Sequence, residues 1–338
     1  MEHFNNVTRE EAARVFEAIG SGTFRRLAIA TFPVDVKYGD QTMGQSEAIL
    51  NMLSSKDWKA VLNGEKKLAA VERNILLVDK NGRVIPTHVG ATSKVCDEKT
   101  DFHVKYPSKF DYAEIIKHYQ DFFSFVPEIK FLGAAELEDL AEKRKEHLMK
   151  DESIHNLIRR ALPLPTPYCG AIKNKDYGKI IEDIFIPAAK RAYKSCSGGC
   201  EFEFRCEGEL RDRVFAATEN QKKFADMLIS GPNVVWYFPN SMQGFSSDAS
   251  CEAMTVLNEK SLALSGLIEP LLGLVGYAEI LAKNFYTPGY LCSGIHLRGY
   301  SKFLLVCEAT DSDFILLNTD KYTRNASDGH SSGLTFIG

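Results

Sequence analysis

The sequence has no excess of basic residues. Its 41 Lys and Arg residues are outnumbered by 45 Asp and Glu residues, and the formal net charge is -4 at pH 7. Residues of opposite sign are interleaved along the chain, so no stretch collects the positive charge that binding to nucleic-acid phosphates requires. Nucleic acid is therefore not expected as a partner.

Apolar segments that would mark secretion or membrane insertion are also missing. The N-terminal segment lacks the apolar core of a secretory signal. The longest apolar run, residues 262–282, contains Glu269, Pro270 and Glu279, which favours a buried helix over a membrane span. In a chain without a secretory signal, the 8 cysteines are expected to be free thiols. We therefore expect a cytoplasmic protein that does not bind membranes.

Glycine-rich nucleotide motifs are incomplete in this chain. Gly178 and Lys179 follow Gly170 at too long a spacing for a phosphate-binding P-loop, and Ile180 stands where that loop has Ser or Thr. The segment "GSGTFR" lacks the third glycine of a dinucleotide-binding fingerprint. No cofactor is therefore predicted.

Three cysteines, Cys196, Cys200 and Cys206, lie close together in "SCSGGCEFEFRCEGEL". Apolar and charged residues alternate from Cys200 to Leu210, which predicts a half-buried strand over residues 200–210. Two of the three cysteines then face the core, where a thiol packs as a small apolar group. A zinc site would need a fourth ligand. Structural thiols are the favoured interpretation, and metal binding and redox chemistry remain alternatives.

The order of helix and strand patterns is irregular, which favours an α+β fold with mixed or antiparallel sheets over a doubly wound one. The proline-rich segment "LPLPTPY" predicts a junction between two packed halves. We expect an N-terminal α+β domain over residues 1–162 and a C-terminal α+β domain over residues 168–338. The second domain is expected to contain a long buried helix over residues 251–283.

Candidate catalytic residues lie in the C-terminal half. Cys251 is expected where the buried helix begins, because backbone N–H groups there stabilise an anion and lower the pKa of a thiol. His296, just before a predicted strand, could accept the thiol proton. Asn318 or Asp320, at the end of a predicted hairpin, could orient the imidazole. Gln243 could donate a hydrogen bond to an oxyanion.

The order of these residues resembles the layout of papain-like cysteine hydrolases. In both, a glutamine precedes a cysteine at the head of an apolar helix, and a histidine and then Asn or Asp follow. The resemblance covers only residues 243–320, with a longer Gln-to-Cys spacing and no aromatic residue after the cysteine. It implies a cysteine-dependent hydrolase or acyl transferase that acts on a peptide or amide-like bond.

Two alternatives stand beside this hypothesis. Cys169 is a second candidate thiol, because Gly170 after it would let a substrate approach the backbone closely. The chain could instead be a non-catalytic binding or assembly protein that acts through an aromatic-rich interface. Its partner would then be a peptide, a protein, a small molecule or a second copy of the chain in a homo-oligomer.

Overall fold

The computed structural model describes residues 75–338, except 100, 101, 103, 171–175, 199, 207, 209, 285, 300–303, 311 and 312, and except the side chain of Asn318. The described residues belong to one compact unit, Ile75–Gly338. Helices and a mixed sheet surround one core, in which the largest fully buried side chains include Trp236, Tyr119 and Tyr237. The α+β class predicted from the sequence is confirmed.

Local sequence signals place most of the helices. Asp111 starts the first helix of the described residues, because its carboxylate accepts hydrogen bonds from two backbone N–H groups. Thr218 caps another in the same way through the N–H of Gln221. Over the described residues, the α-helices are α1 (Tyr112–Phe122), α2 (Ala134–Lys150), α3 (Tyr177–Ile180), α4 (Ile186–Cys196), α5 (Glu219–Ser230), α6 (Ser247–Leu257) and α7 (Ile268–Leu281). A π-helical segment, Ile181–Phe185, joins α3 to α4.

The strands form two sheets within the described part of the chain. They are β1 (Leu162–Thr166), β2 (Glu201–Phe204), β3 (Val214–Ala216), β4 (Asn233–Gln243), β5 (Leu262–Leu264), β6 (Gly289–Leu291), β7 (Ile295–Leu297), β8 (Leu304–Ala309), β9 (Asp313–Thr319) and β10 (His330–Phe336). The large sheet has the order β1-β4-β10-β6-β8-β9-β2, and β5 also pairs with β10. β10 is antiparallel to β4 and parallel to β6, so the sheet is mixed.

The proline-rich segment is an edge strand of the large sheet. β1 pairs only with β4, and Leu162 lies opposite Tyr237. Proline cannot donate a backbone hydrogen bond, but an edge strand leaves half of its backbone groups outside the ladder and tolerates this. The predicted domain junction therefore falls on a strand. Buried residues before it, such as Leu137, and after it, such as Phe185, belong to the same core.

The prediction of one buried helix over residues 251–283 is wrong. α6 ends at Leu257, a short 3-10 helix covers Asn258–Lys260, and Ser261 after it adopts a left-handed conformation with φ 55°. β5 follows and pairs with β10, with Leu264 opposite Leu334, before α7 begins. Pro270 lies in the first turn of α7. Backbone N–H groups in a first turn have no partner within the helix, so proline removes no hydrogen bond there. Among the described helices, none is long and apolar enough to cross a membrane.

The predicted strand over residues 200–210 is shorter than expected. β2 ends at Phe204, and it pairs in parallel with β9, where Phe202 lies opposite Phe314. After a last hydrogen bond from the Arg205 N–H to the carbonyl oxygen of Leu316, the chain turns away from β9, which continues to Thr319. Cys206 and Leu210 are nevertheless buried, as their alternation with charged residues indicates.

Candidate functional site

Cys251 does not stand at the start of its helix. α6 begins at Ser247, and the side chain of Ser246 caps it by accepting a hydrogen bond of 3.2 Å from the N–H of Ala249. Cys251 lies in the second turn, beyond the unpaired N–H groups of the first. The helix terminus that was expected to activate this thiol therefore lies away from it.

The surroundings of Cys251 keep its thiol protonated at neutral pH. Burial and, to a smaller extent, the nearby carboxylates of Asp248 and Glu252 together raise its pKa to about 11, against the lowering effect of a hydrogen bond with Ser247. The sulfur contacts the carbonyl oxygen of Ser293 at 3.9 Å. A carbonyl oxygen can accept a hydrogen bond from a thiol, but it has no hydrogen to donate and therefore does not stabilise a thiolate. The expectation of a lowered pKa is therefore wrong.

His296 is in β7, directly opposite Phe215 of β3, and its side chain is exposed. Within the described ranges, no imidazole is hydrogen-bonded to the Cys251 thiol. The sequence placed His296 before a strand. Its position inside a strand instead directs the ring to the surface of the two-stranded sheet.

The other three predicted residues, Gln243, Asn318 and Asp320, lie at different places in the fold. Gln243 ends β4, and its Nε2 donates to the carbonyl oxygen of Asp328 at 2.8 Å. Asn318 lies in β9, opposite Leu305. Asp320 is exposed just after that strand. Among the four candidates whose side chains the structure describes, Gln243, Cys251, His296 and Asp320, no hydrogen bond therefore joins one to another.

Gln243 instead lines a polar cavity of about 340 Å³ beside Arg160. The guanidinium of Arg160 is already engaged there. It donates to the carbonyl oxygens of Asn81 and Asn240, at 2.7 and 2.8 Å, and pairs with Glu98 at 2.8 Å. These contacts join Arg160 to β4 and to the segments that contain Asn81 and Glu98, which leaves its guanidinium few donors for a ligand.

Cys169, the second candidate thiol, is buried, and burial raises its pKa to about 12. A thiol with that pKa carries almost no thiolate at neutral pH. Cys169 does, however, line a larger cavity of about 760 Å³. This size is within the range of sites that hold small molecules or peptide side chains.

We call this larger cavity the β3–α5 groove, because all of β3 and one face of α5 line it. Its α5 residues are Lys222, Ala225, Asp226, Leu228 and Ile229. Its buried lining residues are all apolar, and they are Cys169, Ile180, Val214 and Leu228.

The rim of the β3–α5 groove is both aromatic and charged. Phe215 and Ile229 are 41% and 39% exposed, which is high for large apolar side chains. The guanidinium carbon of Arg298 lies 4.5 Å from the centre of the Phe215 ring, in a cation–π contact. The groove therefore has an apolar interior, an aromatic edge and side chains of both charges around it.

A buried polar cluster lies behind the groove. Tyr177 lines the groove, while its hydroxyl is buried near Gln221, which in turn lies near Glu269. In the described structure, neither amide atom of Gln221, nor the Tyr177 hydroxyl, nor Oε1 of Glu269 completes a hydrogen bond. Burial raises the pKa of Glu269 to about 7, although nearby N–H groups act to lower it. Glu269 can therefore take up a proton near neutral pH.

Sequence reasoning did not find the groove, because its lining comes from segments that span residues 169–298. One signal was present in "ENQKKFADMLIS", where Lys222, Ala225, Asp226 and Ile229 share a helix face of mixed character. A face of that kind is also typical of an ordinary solvated helix. The pattern alone could not distinguish the two.

No protein-family model, curated protein or solved structure shows significant similarity to this chain. In the described part of the chain, no group of three or more His, Cys, Asp or Glu side chains is arranged to hold a metal ion. The candidate site is therefore assigned on its geometry alone.

Proposed function

We propose that this protein is a non-catalytic binding protein whose ligand places an apolar portion in the β3–α5 groove. One observation carries the proposal: an open cavity of about 760 Å³ has a buried apolar interior beside the exposed ring of Phe215. Exposed apolar surface that continues into a cavity costs free energy in water, and a ligand that covers it recovers this cost.

The chemistry of the candidate thiols favours binding over catalysis. A cysteine hydrolase needs a thiolate and a base in contact with it. The pKa values of Cys251 and Cys169 are both raised by burial. The Cys251 thiol contacts a backbone carbonyl group, and the imidazole of His296 lies opposite Phe215. The cysteine-hydrolase hypothesis stays a prediction, and alkylation of Cys251 tests it.

The cellular setting is part of the same proposal. All eight cysteines are free thiols, from Cys96 to Cys307, and free thiols persist in a reducing compartment such as the cytosol. The net charge of -4 gives nucleic acid no general attraction. We therefore look for the ligand among small molecules, peptides and proteins of the cytoplasm.

The test uses 1-anilinonaphthalene-8-sulfonate, a dye that fluoresces on apolar surfaces. Ala225 lies on the face of α5 that lines the groove, so Ala225→Trp should fill part of the cavity. We expect this substitution to weaken dye binding at least about tenfold. Ala113→Trp, on an exposed face of α1, is the matched control and should leave dye binding unchanged. Equal dye binding by wild type and Ala225→Trp, with both folded by circular dichroism, would refute the proposal.

A further inference from the structure

The backbone hydrogen bonds of β3 show which of its edges is occupied. The Arg298 N–H donates to the carbonyl oxygen of Arg213, and the Ala217 N–H donates to that of Gly294, both at 2.8 Å. Each bond joins residues that lie opposite one another in the β3–β7 register. Successive residues of a strand direct their backbone groups to opposite edges. Phe215, between Arg213 and Ala217, therefore also directs its backbone groups toward β7.

Val214 and Ala216 therefore direct their N–H and C=O groups to the other edge of β3. Over the described residues, the backbone of neither residue has a hydrogen-bond partner on that edge. Three consecutive residues of β3 line the groove. Side chains alternate along a strand, so this lining shows that the edge of the strand, and not only one face, borders the groove.

An open strand edge beside an apolar cavity has a specific complement. Val214 is only 5% exposed, and backbone polar groups at such positions are normally paired. An added strand would supply N–H and C=O groups at the spacing that Val214 and Ala216 require. A compact small molecule could fill the cavity but would not match that spacing.

We infer that the ligand of the β3–α5 groove is an extended peptide segment that adds to β3 as a further strand. This inference rests on the proposed function. The main chain of the peptide pairs with Val214 and Ala216, and alternate side chains of the peptide enter the groove beside Cys169 and Leu228. These side chains are apolar, because the interior that receives them is apolar.

The charges at the rim are consistent with recognition through the main chain. The carboxylate of Asp176 is already engaged, since it accepts hydrogen bonds from backbone N–H groups, including that of Asp212 at 3.0 Å. The other charged side chains of the groove are two basic ones, Lys222 and Arg298, and the acidic pair Asp212 and Asp226. Counting Asp176, three carboxylates and two cations leave a net charge of only -1, so binding of an apolar peptide should depend little on salt concentration.

The experiment selects peptides from a phage-displayed library of random heptapeptides against the full chain. An enriched peptide is synthesised with a fluorescent label, and its affinity is measured by fluorescence anisotropy. A series of variants then carries a single backbone N-methyl group at each position in turn. An N-methyl group removes one N–H donor and leaves every side chain in place, and the protein itself is unchanged.

We expect N-methylation at alternate residues, those facing β3, to weaken binding at least about tenfold. Methylation at the intervening residues should change the affinity less than about threefold, and these peptides are the matched controls. Ala225→Trp should abolish binding, whereas Ala113→Trp should not. Equal effects at all positions, or affinity that falls steeply with salt, would overturn strand addition.

The failure of this inference can be distinguished from failure of the proposed function. If the dye binds in the groove but no enriched peptide is sensitive to Ala225→Trp, the groove binds another class of ligand and the peptide inference is refuted. If neither the dye nor any peptide responds to Ala225→Trp, both are refuted.

Discussion

The backbone N–H of Gly266 donates a hydrogen bond of 3.1 Å to Oε2 of Glu269, whereas Oε1 of the same carboxyl group has no partner among the described residues. Glu269 is completely buried. A buried carboxylate with one unpaired oxygen is costly, and protonation removes that cost. The cost of this buried, unpaired oxygen explains why burial raises the pKa of Glu269 to about 7.

Glu269→Gln should change how stability depends on pH. In the folded protein, Glu269 has a pKa of about 7, whereas in the unfolded chain it loses its proton near the ordinary pKa of 4.5. The wild type therefore loses stability as the pH rises between these values, by up to about 3 kcal/mol. Glutamine cannot ionise, so the stability of the variant relative to wild type should rise over this window. Urea denaturation at pH 5 and pH 8 measures the difference.

The control for this experiment is Glu279→Gln, which changes an exposed carboxyl group on the same helix. Its stability should follow the wild type at both pH values. If Glu269→Gln and wild type differ by the same amount at pH 5 and pH 8, Glu269 is ionised in both states and the physical account of the cluster is wrong.

Cys251 should react slowly with iodoacetamide at pH 7. Its pKa of about 11 leaves only about one thiol in ten thousand ionised, and the side chain is half-buried. Cys196 is exposed and should be alkylated first. Peptide mass spectrometry over time, with Cys251→Ser to identify the Cys251 adduct, measures both rates. Fast labelling of Cys251 below pH 7.5 would instead support the cysteine-hydrolase hypothesis.

Gly294→Ala should destabilise the fold strongly. A Cβ atom at this position would collide with the backbone of Leu264 and Ser265, and the N–H of Gly294 donates to the carbonyl oxygen of Ser265 at 2.8 Å. We expect a loss of at least about 2 kcal/mol in the free energy of unfolding, measured by urea denaturation. The matched control is Gly231→Ala, where the backbone is extended and the Cβ meets open space. The control should change stability by less than about 0.5 kcal/mol; a similar loss in both variants would contradict the packing argument.

The helices and strands with strong local patterns were predictable. The segments that became α1 and α5 have capping residues and a helical spacing of apolar side chains. The hairpin of β8 and β9 was also visible as two apolar runs joined by a short polar turn. Each of these signals involves only a few neighbouring residues, and it can therefore be recognised from the sequence alone.

The error over residues 251–283 shows the limit of that reasoning. The run is apolar throughout, so its pattern could not separate a buried helix from a buried strand. β5 interrupts it because residues 262–264 pair with residues 334–336. The positive φ of Ser261 and the position of Pro270 near the start of α7 accompany the break, but neither residue type requires it.

For a related reason, the structure does not bring Gln243, Cys251 and His296 into hydrogen-bond contact with one another. A glutamine, a cysteine, a histidine and then Asn or Asp follow one another along the chain as in papain-like hydrolases. Order along the chain, however, does not decide which side chains are in contact. Ser246, rather than a residue next to Cys251, caps α6. Pairing of β7 with β3 placed His296 opposite Phe215. Long-range strand pairing therefore decided which side chains meet.

By itself, the sequence determined the α+β class, the positions of its strongly patterned helices and strands, and the burial of Cys206 and Leu210. These properties follow from local periodicity and from the insolubility of apolar side chains in water. Only the tertiary structure decided the raised pKa of Cys251, the unpaired edge of β3 and the groove beside α5. These properties depend on burial and strand pairing between segments far apart in the chain. The free energies of such contacts arise only when the segments meet in the folded protein.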